Sequence, residues 1–139
     1  MDQGDSLNVH YTSKKPVGER LALLAEKYTY KRRLTAEGPE PLYARQSGNT
    51  ITIQFPNSER LFAAGGMPLT GYEIVTDKGI RFNVSAIIKN NRVIIRCPAN
   101  EQIAAAYYAM QPYTRGNLIN KAGLPASTFC LYRHGNLFY

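Results

Sequence analysis

From Pro16 to about Tyr30, the apolar residues Val17, Leu21, Leu24, Ala25 and Tyr28 recur close to the helical period and share one stripe. Ser13 offers a side-chain oxygen to a free amide at the start of this helix, and Pro16 is tolerated in its first turn. Lys27, Lys31, Arg32 and Arg33 suit the negative C-terminal end of its dipole. Glu37-Gly38-Pro39-Glu40-Pro41 then excludes helix and reads as a linker, with a boundary near residue 38. Beyond it the period changes to two. Ile51, Ile53 and Phe55 alternate with Thr50, Thr52 and Gln54, and Tyr43-Ala44-Arg45 ahead of Ser47-Gly48-Asn49 supplies a hairpin partner. Tyr72-Glu73-Ile74-Val75 and Ile80-Arg81-Phe82 flank Asp77-Lys78-Gly79. The segments from Val84 to Ile88 and from Val93 to Ile95 flank Asn90-Asn91, a pair suited to a tight primed turn. The three alanines between Ile103 and Tyr108 suit a helix equally well, but Tyr107-Tyr108 and the neighbouring hairpins favour a strand. The pattern predicts a mainly β fold, an antiparallel sandwich or open barrel over residues 39–139, preceded by one N-terminal α-helix within residues 1–38; a jelly-roll-like antiparallel β-sandwich is the expectation adopted.

The chain has 139 residues, 44% of them hydrophobic and 19% charged, with 11 Gly and 8 Pro, which excludes a disordered or fibrous polymer and allows one real core. No apolar run approaches the roughly 20 residues that span a bilayer, so no membrane partner is expected. The first residues, Met1-Asp2-Gln3-Gly4-Asp5, carry no basic and apolar leader pattern. Seventeen Lys plus Arg against ten Asp plus Glu give +7, but these charges are scattered, with the densest cluster at Lys31-Arg32-Arg33. No helix-turn-helix, zinc or ribonucleoprotein signature accompanies them, so the expectation is a solvated basic face and no nucleic acid. Cys97 and Cys130 lie far apart in a chain with two histidines, which disfavours a metal site, and no cofactor is expected. Free thiols are the plain reading of the two cysteines; one disulfide is the alternative in an oxidising compartment.

Candidate chemistry gathers at the N-terminus. Gly4-Asp5-Ser6-Leu7 spells the four letters of a large esterase family whose serine is the nucleophile, but there the serine follows a buried strand, and only three residues precede Gly4 here. His10 stands immediately before the helix in the string Val9-His10-Tyr11-Thr12-Ser13-Lys14-Lys15-Pro16-Val17-Gly18-Glu19-Arg20-Leu21-Ala22. This string resembles the end of the catalytic domain in the sialate O-acetylesterase family, carbohydrate esterases of the Ser-Gly-Asn-His (SGNH) hydrolase superfamily. Gly71-Tyr72-Glu73-Ile74 resembles that family's Gly-Phe-Glu-Ile segment. The run Asn117-Leu118-Ile119-Asn120-Lys121-Ala122-Gly123-Leu124-Pro125-Ala126-Ser127, followed by Phe129, resembles its C-terminal signature.

The resemblance implies that residues 1–38 are the last loop and helix of an SGNH-type catalytic domain, with His10 in the general-base position. The serine, glycine and asparagine that complete the chemistry would lie in sequence ahead of Met1, so this chain by itself is not expected to hydrolyse esters. The usual acid position, three residues before the histidine, holds Leu7, which leaves Asp5 as the nearest carboxylate. The family's Trp in its Tyr-Ala-Trp strand is replaced by Met110 after Tyr108-Ala109, and residues 133–139 run past its usual end, either as a pairing edge strand or as a frayed tail. The parent enzymes act on acetylated sugars or sialic acid and are usually secreted or periplasmic.

Asn117 and Asn120 have two readings. As turn residues they satisfy loop amides; as substrate-binding residues they lean toward the parent's active site and orient the sugar. Tyr107, Tyr108, Tyr113 and Tyr132 are candidates for a sugar-stacking platform. The expected function is therefore the C-terminal accessory region of a sialate O-acetylesterase-like enzyme. The rivals are a stand-alone carbohydrate-binding β-sandwich and a homo-oligomeric module that self-associates through helix 16–30.

Overall fold

The computed structural model describes residues 13–56 and 58–139. Among these, α1 (Lys15–Tyr28) precedes β1 (Tyr43–Ser47), β2 (Thr50–Gln54), β3 (Leu61–Ala63), β4 (Tyr72–Thr76), β5 (Arg81–Asn83), β6 (Ala86–Lys89), β7 (Arg92–Arg96), β8 (Ile103–Tyr108), β9 (Leu118–Asn120), β10 (Phe129–His134) and β11 (Leu137–Phe138). The alternating segments pair where their turns predict. β1 and β2 put Ala44 opposite Ile53, and β4 and β5 put Ile74 opposite Phe82. β6 and β7 put Ile88 opposite Val93 across Asn90 and Asn91, whose φ values of 51° and 58° are those of a primed turn. The Ile103–Tyr108 segment is a strand, held between β4 and β10.

Nine strands form one antiparallel sheet in the order β5-β4-β8-β10-β11-β1-β2-β7-β6, and β3 pairs with β9 separately. The large sheet curls because β10 changes partner along its length. Phe129 to Tyr132 pair with β8, while Arg133 and His134 pair with β11. One core results, to which Ile51, Ile53, Val93 and Ile95 contribute from one arm and Tyr72, Ile74, Ala106 and Tyr108 from the other. Phe129, partly buried, packs against this core, with ring centroids 5.2 Å from Tyr108 and 6.0 Å from Phe55. The fold is the expected mainly β, antiparallel architecture with one preceding helix.

Two local expectations need correction. Ser13 does not cap α1: the N-cap is Lys14, without a side-chain cap bond, because the helix begins with Pro16 already inside its first turn. The tail is neither frayed nor an edge. β11 lies between β10 and β1, and the backbone amides and carbonyls of Tyr132 and Tyr139 bond to each other at 2.7 and 3.0 Å. The helix itself buries no residue: Val17, Leu21 and Tyr28 on its apolar stripe are 46%, 61% and 58% exposed.

Candidate functional site

Asp5, Ser6 and His10 lie outside the described residues. The structure does show how the helix that follows His10 is held to the β domain. At the end of α1, Lys27 Nζ lies 2.5 Å from Glu37 Oε2, and the Tyr28 hydroxyl donates to the other carboxylate oxygen. The Glu37 carbonyl accepts from Asn120 Nδ2 at 2.8 Å. Asn120 is buried, and its Oδ1 accepts from the amides of Ala122 and Leu124 at 3.1 and 3.0 Å, so one side chain ties the linker to the loop after β9. Gly38 lies so close to that loop that a Cβ on it would fall 1.8 Å from the Pro125 carbonyl oxygen. The sequence predicted a linker here. It is a fixed joint.

The charges of this joint depend on one another. The hydrogen bond from Lys27, then that from Tyr28, holds the Glu37 carboxyl below its ordinary range, while the bond to Glu37 raises both Lys27 and Tyr28. A depressed carboxyl stabilises the joint above its unfolded value and loses that effect as pH falls through the folded one. Raised donors stabilise it below their unfolded values and lose the effect as pH rises through the folded ones. The docking of α1 is therefore expected to be level across neutral pH and to weaken in acid below about 4.5 and in base above about 10. In an NMR pH titration, the amide resonances of residues 24–28 and Asn120 should move together at acid pH. Glu37→Gln should show the released positions already at neutral pH.

A cleft of about 830 Å³ opens at one end of the sandwich, between residues 68–73, 83–87 and 109–115. Asn117 builds its rim. Its Oδ1 accepts from the Thr70 amide at 2.9 Å and its Nδ2 donates to the Pro68 carbonyl at 3.0 Å, while the Thr70 hydroxyl donates to the Arg115 carbonyl at 2.7 Å. Glu73, 4% exposed, lines the cleft. Its two oxygens accept from Gln111 Nε2 at 2.9 Å and from Arg81 at 3.3 Å, and the Arg81 guanidinium stacks 4.9 Å from the Tyr107 ring. Tyr72 also lines the cleft. Its buried hydroxyl pairs with nothing among the described residues, and burial, then the neighbouring Tyr108, raises it well above the ordinary phenol range.

The four tyrosines do not form one platform. Tyr108 is a core residue whose hydroxyl accepts the Leu118 amide at 2.8 Å. Tyr113 lies at the cleft, 46% exposed. Tyr107 and Tyr132 meet edge-on elsewhere, with centroids 6.4 Å apart, and Tyr107 is pushed up to about 12 by burial first, then by Tyr132 and Cys130. Both cysteines are free thiols, and burial lifts Cys97 to about 11. Among the described residues no group of three or more His, Cys, Asp and Glu is placed to hold a metal ion, and no helix is long and apolar enough to cross a membrane. Sequence reasoning missed the cleft and its Glu73–Arg81–Gln111 cluster. Only the isolated acid in the apolar run Tyr72-Glu73-Ile74-Val75 hinted at it, since a buried carboxylate needs partners.

With this geometry, the likeness to a solved structure gains meaning. The fold superposes on a carbohydrate acetylesterase from Xanthomonas citri with a TM-score of 0.83 and 30% sequence identity, over 93% of this chain and 30% of that one. The chain is thus related to a carbohydrate esterase and spans less than a third of that enzyme's length. No family model and no curated protein matches it.

Proposed function

We propose that the chain is the C-terminal accessory region of a sialate O-acetylesterase-like carbohydrate esterase, in which residues 1–38 close the SGNH-type catalytic domain and residues 39–139 form the β-sandwich that supports it. The observation that carries this reading is the match of nearly the whole chain to a minor part of an acetylesterase. The exposed stripe of Val17, Leu21 and Tyr28 supports it, because such a stripe is stable against a packing surface and costly in water. The joint at Glu37, Gly38 and Asn120 sets the direction of α1, the helix that follows His10 in sequence. In the whole enzyme His10 takes the proton of the attacking serine, with Asp5 the nearest acid in sequence to orient it. Acyl transfer also needs that serine and a set of amides facing the developing oxyanion.

Neither His10 nor Ser6 is expected to support turnover by this chain alone. In a chromogenic acetate assay, the chain, His10→Ala and Ser6→Ala should all match the buffer blank. Turnover lost on either substitution would overturn the accessory reading. The same exposed stripe favours a second reading, self-association through α1, under which sedimentation would report a mass above 15.6 kDa that falls on dilution.

A further inference from the structure

Basic residues that lie scattered in the sequence are gathered by the sheet. Ala44, Ile51, Ile53, Val93 and Ile95 are fully buried, so their neighbours along β1, β2 and β7 face outward. Strand pairing then sets Arg45 beside Thr52, Thr50 beside Arg96 and Arg92 beside Lys89, all on one outer face. The four strands of this face, β1, β2, β7 and β6, carry no Asp or Glu. Among the described residues none of Arg45, Lys89, Arg92 and Arg96 has an ion-pair partner. At ordinary strand spacing the four fall within a patch of about 14 Å by 13 Å. Their separations are comparable with the Debye length of about 8–10 Å, so they act as one positive field. Among them Ile87, 58% exposed, stands opposite the half-buried Ile94.

We infer that this face docks on an anionic lipid surface. The inference goes beyond the esterase reading and does not depend on it. Like charges held this close repel one another, and an anionic partner removes that cost. Three of the four are arginines, whose planar fork matches the oxygens of a phosphate headgroup. The two isoleucines decide among anionic partners. Against a bilayer, Ile87 enters the acyl boundary while Lys89 and Arg92 beside it reach the headgroups, so both kinds of side chain find their complement. A dissolved polyanion satisfies the cations and leaves the isoleucines in water. Nucleic acid is further disfavoured because the ring on these strands, Tyr43, is half-buried and packs against Tyr139, not free for bases to stack on. The chain lies on the bilayer and does not span it.

The test is cosedimentation of the purified chain with vesicles of phosphatidylcholine alone and of phosphatidylcholine mixed with phosphatidylglycerol. The chain should partition onto the anionic vesicles only, and high salt should release it. Arg92→Gln with Arg96→Gln should cost about 25-fold in partitioning, at about fivefold per cation. Lys78→Gln with Lys121→Gln removes the same charge from ion pairs elsewhere and should cost about twofold or less. Ile87→Ser should cost about fivefold and leave the salt dependence unchanged. All these side chains are exposed, so the variants keep the fold. Equal binding to both vesicles, binding to neither, or equal losses from the two double variants would overturn the inference. So would full retention by Ile87→Ser, release by inorganic phosphate at an ionic strength where chloride does not release, or tighter binding to polyglutamate or a single-stranded oligonucleotide than to vesicles of equal anionic charge.

Discussion

Truncating Phe138 to alanine is expected to destabilise the domain by roughly 3–5 kcal/mol and to lower its melting temperature by roughly 10–20 °C. Phe138 is the penultimate residue of the sequence, yet it is fully buried. It lies opposite Ala44 of β1 on one side and Arg133 of β10 on the other. Ala44 is itself fully buried and small, so the ring fills the space that a larger residue there would occupy. Removing it leaves a void between strands whose backbone bonds hold the walls apart, and little collapse can repair it. Tyr139, 56% exposed beside Tyr43, is the internal control, and its truncation should cost about 1 kcal/mol or less. Denaturant unfolding of both variants measures the contrast. Equal losses would mean that the tail does not close the sheet.

A single methyl group at residue 38 should have the second largest effect. In Gly38→Ala the new Cβ would meet the Pro125 carbonyl oxygen at 1.8 Å, its carbonyl carbon at 2.5 Å and the Ala126 nitrogen at 3.1 Å. All three are backbone atoms, so no side chain can swing aside and the two segments must separate. The Glu37 carbonyl next to it would lose its bond from Asn120, leaving a buried amide short of a partner. The expected loss is about 3 kcal/mol, with α1 freed from the β domain. The loss should appear both in unfolding curves and as matched shifts of the α1 and Asn120 resonances. Gly18→Ala makes the comparison fair. That glycine is on the helix with nothing within 4 Å of the added atom, and its replacement should be neutral or stabilising by up to about 1 kcal/mol.

Hairpins were the most legible part of the fold, because period and turn chemistry sit in the same few residues. Asn90-Asn91 is the clearest case, with both asparagines at positive φ. β3 and β9 were not legible: each has three residues, and they pair across more than fifty positions of chain, so neither alternation nor a turn marks them. The same holds for β10, whose change of partner is a property of the curled sheet and not of its six residues. At the joint, Pro39 and Gly38 read as punctuation in sequence, and only the approach of Pro125 shows that the glycine is there for room. Asn117 and Asn120 stood out as turn residues, and their amides do bond to loop groups. The cleft draws on three segments separated by nine or more residues. Its residues are ordinary ones, and no local pattern assembles them.

The place of β11 also governs when the domain can form during synthesis. Strands β1 and β2 leave the ribosome before the rest of the sheet, but β1 finds its second neighbour only in Leu137 and Phe138. Until those residues emerge, β1 offers an unsatisfied edge and the cavity meant for Phe138 stays open. The nascent chain must carry both while everything between residues 54 and 137 is being made. A chain stalled before that point would present a sticky half-sheet and not a smaller stable domain.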